Sequence, residues 1–320
     1  MGPLLARYGK ADIALPGGCV LGARPIDYHL KAFTKMGAQI YMMHDALHAT
    51  ASHLRAQRFI LEYPSVGATE NIMMAAALIP GVTTIVNAAL EPEVLDLITV
   101  LRKMGARITI SEPAALIIEG VSELKPLEHA IMPDRLEAGT LLLAAAITKG
   151  NISMPHMHAG SLELVLEKLD EMGHSISIGN NGVGITFAAA ENPRAVSFKT
   201  MPYPGFPTDL QAPMMAALCL AAGESVIHET VYENRLMHIR ELQKMGAHIS
   251  QNGTTAVIKG VDALYGTQVI ATDIRASAAL VIAGLVAEGQ TIMSGVHHLK
   301  RGYNKLEDKI ARLGGKVRWA

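Results

Sequence analysis

The chain has little to cross-link it and little to stack. Its 320 residues include two cysteines, Cys19 and Cys219, too few for a disulfide framework, and that scarcity points to a reducing, cytosolic setting. Aromatic residues make up 4% of the sequence, with one tryptophan, so Ala, Leu, Ile, Val and Met must build the core. Such a core suits thin layers of helix and sheet packed closely together. No apolar run is long enough to span a bilayer; the longest, Ala276 to Ala287, is bracketed by Arg275 and Glu288. No charged segment followed by a long apolar stretch opens the chain, so no secretory signal is read. The net charge of -1 leaves no basic surplus to hold nucleic acid or an anionic membrane.

What the sequence does have is an internal repeat. Five segments resemble one another: Phe33 to Ala38, Leu101 to Ala106, Leu169 to His174, Leu242 to Ala247 and Ile310 to Gly315. Their marker glycines, Gly37, Gly105, Gly173, Gly246 and Gly314, recur at 68, 68, 73 and 68 residues. So regular a period indicates a repeated supersecondary unit. In each unit a helix ends at the marker glycine, which suits the left-handed cap. A strand follows, such as Arg107 to Ile110 or His248 to Ser250, and then a second, such as Ala115 to Glu119 or Thr255 to Ile258. After a loop comes an Ala-rich helix ending at Gly81, Gly150, Gly223 or Gly289, then a strand leading into the next marker helix. Two helices and about four strands per unit make the class α/β. The helix that should precede Gly37 is represented only by Leu4 to Tyr8, so the chain is expected to begin inside a repeat.

Candidate chemistry gathers where helices begin. The loop Leu15 to Pro25 carries paired glycines, Cys19 and Arg24-Pro25. A helix N-terminus beside an arginine is a good anion site and can hold a thiol near its working pKa. A free cysteine in an ordinary turn is the alternative. Cys219, within the apolar run Met214 to Ala222, reads as a packed core thiol. Tyr203 to Asp209 reads as a loop feeding a helix capped by Thr208 or Asp209. Thr272 to Arg275, Glu233 to Arg235 and Arg301 to Tyr303 also read as helix starts, with surface salt bridges the plain alternative for each. If the repeats pack around an axis, these cations and carboxylates converge on one anion-binding cleft. His44 and His48 stand at zinc-compatible spacing, but without the intervening Glu of the metalloprotease pattern, and are expected to be a polar surface segment. No metal site is expected.

Longer stretches carry a resemblance. Leu15 to Asp27 with His29, Ser65 to Thr69, Phe206 to Asp209, Glu233 to Arg235, Thr272 to Ser277 and Arg301 to Tyr303 resemble, in order, the motifs of the UDP-N-acetylglucosamine 1-carboxyvinyltransferase family of enolpyruvyl transferases. The related shikimate-pathway transferases share the fold but lack this Cys loop. The resemblance implies two inside-out α/β barrel domains of repeated βαβαββ units, over 1–133 and 134–320, with the active site in the cleft between them and the first repeat incomplete. It implies transfer of enolpyruvyl from phosphoenolpyruvate to the 3'-hydroxyl of UDP-N-acetylglucosamine. Phosphate is released in this committed step of peptidoglycan synthesis, with its consequences for cell shape, division and the cell cycle. No cofactor, nucleic acid or membrane is implied, and the setting is cytoplasmic.

By the same resemblance Cys19 is the proton donor and the target of fosfomycin, Asp209 is the base, and Arg301 is catalytic. Arg24, Pro25, Ile26, Asp27 and Tyr28 would line the uridine nucleotide with Ser65, Val66, Gly67 and Val231. Arg235, Asp273, Arg275 and Arg301 would hold phosphate and carboxylate. The chain departs from the family at Tyr63, where some members have Lys, and at Lys300, where Asp is common. The family's N-terminal portion, with a Lys-Asn pair and a nucleotide-binding Arg, is expected to be missing. A catalytically inactive UDP-sugar-binding fragment is therefore the alternative reading, and a shikimate-type transferase a further one.

Overall fold

The computed structural model describes residues 1–14 and 26–319. The chain divides into two compact units, one ending at Met132 and the other starting at Pro133.

The first unit runs α1 (Gly2–Tyr8), β1 (Lys10–Ala14), α2 (Asp27–Met36), β2 (Gln39–Met43), β3 (Ala46–Thr50), β4 (Arg58–Ile60), α3 (Val66–Ala76), β5 (Val82–Val86), α4 (Pro92–Lys103), β6 (Arg107–Ser111) and β7 (Ala115–Glu119). The helix read over Leu4 to Tyr8 falls within α1. It stops at Gly9, whose φ of 67° is the left-handed cap that glycine adopts freely, and it buries Leu5. One sheet has the order β1-β3-β2 and the other β4-β5-β7-β6. In the second, β4 and β5 are parallel while β7 runs antiparallel to both neighbours.

The second unit continues α5 (Arg135–Ile147), β8 (Asn151–His158), α6 (Glu163–Glu171), β9 (Ser175–Ile178), β10 (Val183–Ala188), β11 (Phe198–Lys199), α7 (Gln211–Leu218), β12 (Glu224–His228), α8 (Ile239–Lys244), β13 (His248–Asn252), β14 (Thr255–Lys259), β15 (Gln268–Ile270), α9 (Ile274–Val286), β16 (Ile292–Ser294), α10 (His297–Lys300) and α11 (Leu306–Arg312). Its four-stranded sheet, β11-β12-β14-β13, repeats the order and pairing directions of β4-β5-β7-β6. The sequence period is therefore a βαβαββ unit, here β11-α7-β12-α8-β13-β14.

Ala-rich α5, α7 and α9 pack against one another at the centre of this unit. Every residue of α7 is buried. Small side chains permit this close approach, and the sheets lie outside the helices rather than within them. The fold is thus the inside-out α/β arrangement. Its geometry places the beginnings of three central helices together, and that placement builds the site.

Candidate active site

Three successive repeats supply the same short segment at the start of a central helix: Arg135-Leu136-Glu137-Ala138, Asp209-Leu210-Gln211-Ala212 and Asp273-Ile274-Arg275-Ala276. The scaffold is common, and the side chains have diverged. Asp209 sits in a 3-10 turn, Thr208–Leu210, just before α7. Neither it nor Thr208 caps that helix through its side chain, contrary to the expectation from sequence. Its carboxylate is taken by two guanidinium groups instead. Arg235 Nη2 donates to Oδ1 at 2.5 Å, and Arg275 Nη2 donates to Oδ2 at 3.0 Å. Burial pushes the Asp209 carboxyl up, but Arg275 and Arg235 together outweigh it and hold its pKa below the usual carboxylate value.

Each cation is itself held. Arg235 is buried, starts the 3-10 turn leading into α8, and lies over the Tyr232 ring at 5.4 Å. Arg275 Nη1 donates to the Tyr303 hydroxyl at 3.2 Å. The Tyr303 hydroxyl also meets Thr140 Oγ1 at 2.9 Å, and Thr140 spends its own proton on the Leu136 carbonyl, so Tyr303 is the donor there. Gly302 makes this reach possible: a Cβ at that position would lie 2.2 Å from Ile274 Cγ2. The other expected site residues fall as follows. Asp273 is a cap, its Oδ1 accepting the backbone N–H of Arg275 and Ala276 at 2.8 and 3.0 Å. Arg301 is exposed and follows α10 rather than opening a helix, a correction to the reading from sequence. Val231 lies between β12 and Arg235.

In the first unit Ser65 caps α3, its Oγ accepting from Ala68 N at 3.3 Å, so Val66 and Gly67 form the first turn. Ile26 precedes α2, with Asp27 and Tyr28 in its first turn. These two helix starts adjoin, since a Cβ on Gly67 would lie 3.6 Å from the His29 ring. Asn71 orients that ring: its Oδ1 accepts Gly2 N–H at 2.7 Å, so its Nδ2 donates to His29 Nδ1 at 2.9 Å and leaves the histidine proton on Nε2. Burial lowers the His29 pKa. Cys19, Arg24 and Pro25 lie outside the described residues.

Residues 1–310 match the family model described as EPSP synthase (3-phosphoshikimate 1-carboxyvinyltransferase). The chain belongs to this family of enolpyruvyl transferases. Among its relatives, the UDP-N-acetylglucosamine 1-carboxyvinyltransferase 1 of Caldanaerobacter subterraneus subsp. tengcongensis is 51% identical over 317 residues, covering 99% of this chain and 76% of that protein. The enzyme of the same name without the numeral from Geobacter metallireducens is 48% identical, with the same 99% and 76% coverage. Among solved structures, the enolpyruvyl transferase NikO from Streptomyces tendae superposes with a TM-score of 0.87 at 26% identity, covering 99% of this chain and 75% of that one. An EPSP synthase from Acinetobacter baumannii, at 18% identity and a TM-score of 0.76 over 98% of this chain and 75% of its own, shares the fold.

Sequence reasoning singled out the enolpyruvyl transferase motifs but missed two buried groups behind them, Glu229 and His238, and the half-buried Asn71. The available signal was weak, a polar residue ending an apolar strand or lying inside an apolar helix. His238 is fully buried, its Nδ1 3.2 Å from the Arg235 carbonyl, and burial pushes its pKa down to about 4 against the opposing pull of Asp273.

Proposed function

We propose that the chain transfers the enolpyruvyl group of phosphoenolpyruvate to the 3'-hydroxyl of UDP-N-acetylglucosamine. Relatives of that name, half identical over almost the whole chain, favour this acceptor over shikimate 3-phosphate. In the addition, the sugar oxygen bonds to C2 of phosphoenolpyruvate, its proton passes to a base, and a proton is delivered to the methylene carbon. In the elimination, the new methyl group loses a proton and the C2–phosphate bond breaks. Atoms balance with enolpyruvyl ether and inorganic phosphate as products. A donor, a base and cations for a dianionic phosphate are required. Cys19 is assigned as donor and fosfomycin target, Asp209 as base, and Arg235, Arg275 and Arg301 as anion ligands. Asp273 supports Arg275 through the helix cap. Arg24 to Tyr28, Ser65 to Gly67 and Val231 are assigned to the nucleotide. The reaction is placed in the cytoplasm, and the division 1–133 and 134–320 is retained as the domain boundary.

The observation that carries this reading is the Asp209 clamp. A carboxylate held low by two guanidinium groups is a poor base. The same guanidinium groups are the natural ligands of phosphate and carboxylate. Anion binding at Arg235 and Arg275 would draw charge away from Asp209 and raise its basicity when the donor substrate has arrived. The test is phosphate release from phosphoenolpyruvate with either acceptor. Release that needs UDP-N-acetylglucosamine supports the reading, and release with shikimate 3-phosphate overturns it. A folded chain that binds the nucleotide sugar without releasing phosphate is the inactive sugar-binding protein instead.

A further inference from the structure

Glu229 follows β12 directly and is 2% exposed. A carboxyl group so placed is costly unless its lone pairs are filled. Here they are filled by the two segments that carry the site and by Thr200 just after β11. Oε1 accepts from Thr200 Oγ1 at 2.8 Å and from the backbone N–H of Val231 and Tyr232 at 2.8 and 3.1 Å. Oε2 accepts from Thr208 Oγ1 at 2.9 Å. Thr208 is the residue before Asp209. Val231 and Tyr232 open the loop to Arg235, and the Tyr232 ring lies under the Arg235 guanidinium group. Thr200 extends the grip, its hydroxyl accepting Thr230 N–H at 2.9 Å.

The fold itself does not demand a carboxyl group here. The residue leaving the corresponding strand β5 is Asn87, whose amide donates to one carbonyl, that of Leu61 at 2.8 Å. The residue leaving β16 is Gly295. The same strand exit is thus made with three different residues, and of the three only Glu229 gathers donors from both site-bearing segments, Thr208 from one and Val231 and Tyr232 from the other, with Thr200 as a fourth.

We propose that Glu229 is a positioning residue that fixes the Asp209 turn and the Val231–Arg235 loop relative to one another. The inference rests on the roles given above to Asp209, Val231 and Arg235. It predicts a kinetic signature, because a small displacement of base or cation is felt strongly in rate. Glu229→Ala should raise the KM for UDP-N-acetylglucosamine and lower kcat, each by about tenfold or more per folded molecule. Glu229→Gln should stay within about threefold of wild type, since its amide oxygen can keep the Val231 and Tyr232 N–H groups and the Thr208 hydroxyl can turn to accept from the amide N–H, so both segments stay tied. Thr208→Val, nearly isosteric, removes only the link to the Asp209 turn and should lower kcat several-fold with that KM unchanged. It also decides the matter if Glu229→Ala does not fold. A purely structural Glu229 would lower the thermal midpoint of the alanine variant and leave kcat and KM of the folded fraction alone. Active wild type with Thr208→Val and any folded Glu229→Ala within twofold of it overturns the proposal alone. A wild-type chain without phosphate release overturns the functional reading and this proposal with it.

Discussion

Arg275 donates through Nη2 to Asp209 Oδ2 at 3.0 Å, joining the first turn of α9 to the turn before α7. Its other terminal nitrogen is spent on the Tyr303 hydroxyl. A planar fork can serve both partners at once, whereas an ammonium group is a single point charge on a flexible stem. Arg275→Lys should therefore keep the charge and lose the geometry, raising the KM for phosphoenolpyruvate about tenfold. Asp209→Asn keeps the shape and loses the carboxylate proposed as the base, and should lower kcat by about a hundredfold or more. Phosphate release under varied substrate gives both constants. An asparagine variant with wild-type kcat would remove Asp209 from proton transfer.

Much of this arrangement was legible in the sequence. The marker glycines set the repeat, and the Ala-rich helices and paired strands fall where the period places them, as with α9 and β13-β14. Arg235, Arg275 and Asp209 were named from motifs. What sequence could not give was their pairing. Asp before a helix reads as a cap because local capping is common, and here Asp273 does cap while Asp209 does not. The difference is made by arginines 26 and 66 residues away, brought in by the packing of separate repeats. Arg301 was misplaced for a related reason: α10 spans His297–Lys300, a four-residue helix too short to show periodicity.

The two cysteines should differ sharply in reactivity. Cys219 is buried, donates its S–H to the Met215 carbonyl at 3.2 Å, and has its thiol pushed up to about 12 by burial. Thiolate is the reactive form, so Cys219 is inert in the native protein at any ordinary pH. A disulfide reagent at pH 8 should consume one thiol in the folded chain and two after unfolding. Fosfomycin labelling should vanish in Cys19→Ala and persist in Cys219→Ala. Label found on Cys219 in the native chain would contradict its burial.

The acid side of the stability profile should carry the mark of His238. Burial depresses its pKa from 6.5 to about 4, so the folded state keeps it neutral while the unfolded chain takes up a proton. Between those two values the unfolded state binds more protons, and stability falls as pH falls. For one group the slope approaches about 1.4 kcal/mol per pH unit. Asp209 works in a different window: its folded pKa lies below the ordinary 3.8, so its contribution is complete above that value and is lost only in stronger acid. His29 and His174, both lowered by burial, also cost stability as pH falls below 6.5, which makes a difference measurement necessary. Urea unfolding of wild type and His238→Gln from pH 7 to pH 5 isolates the one group. The glutamine variant, which can still donate to the Arg235 carbonyl, should gain on the wild type steadily as pH drops. A stability difference that does not change with pH would mean that His238 takes up its proton in the folded protein as readily as in the unfolded chain.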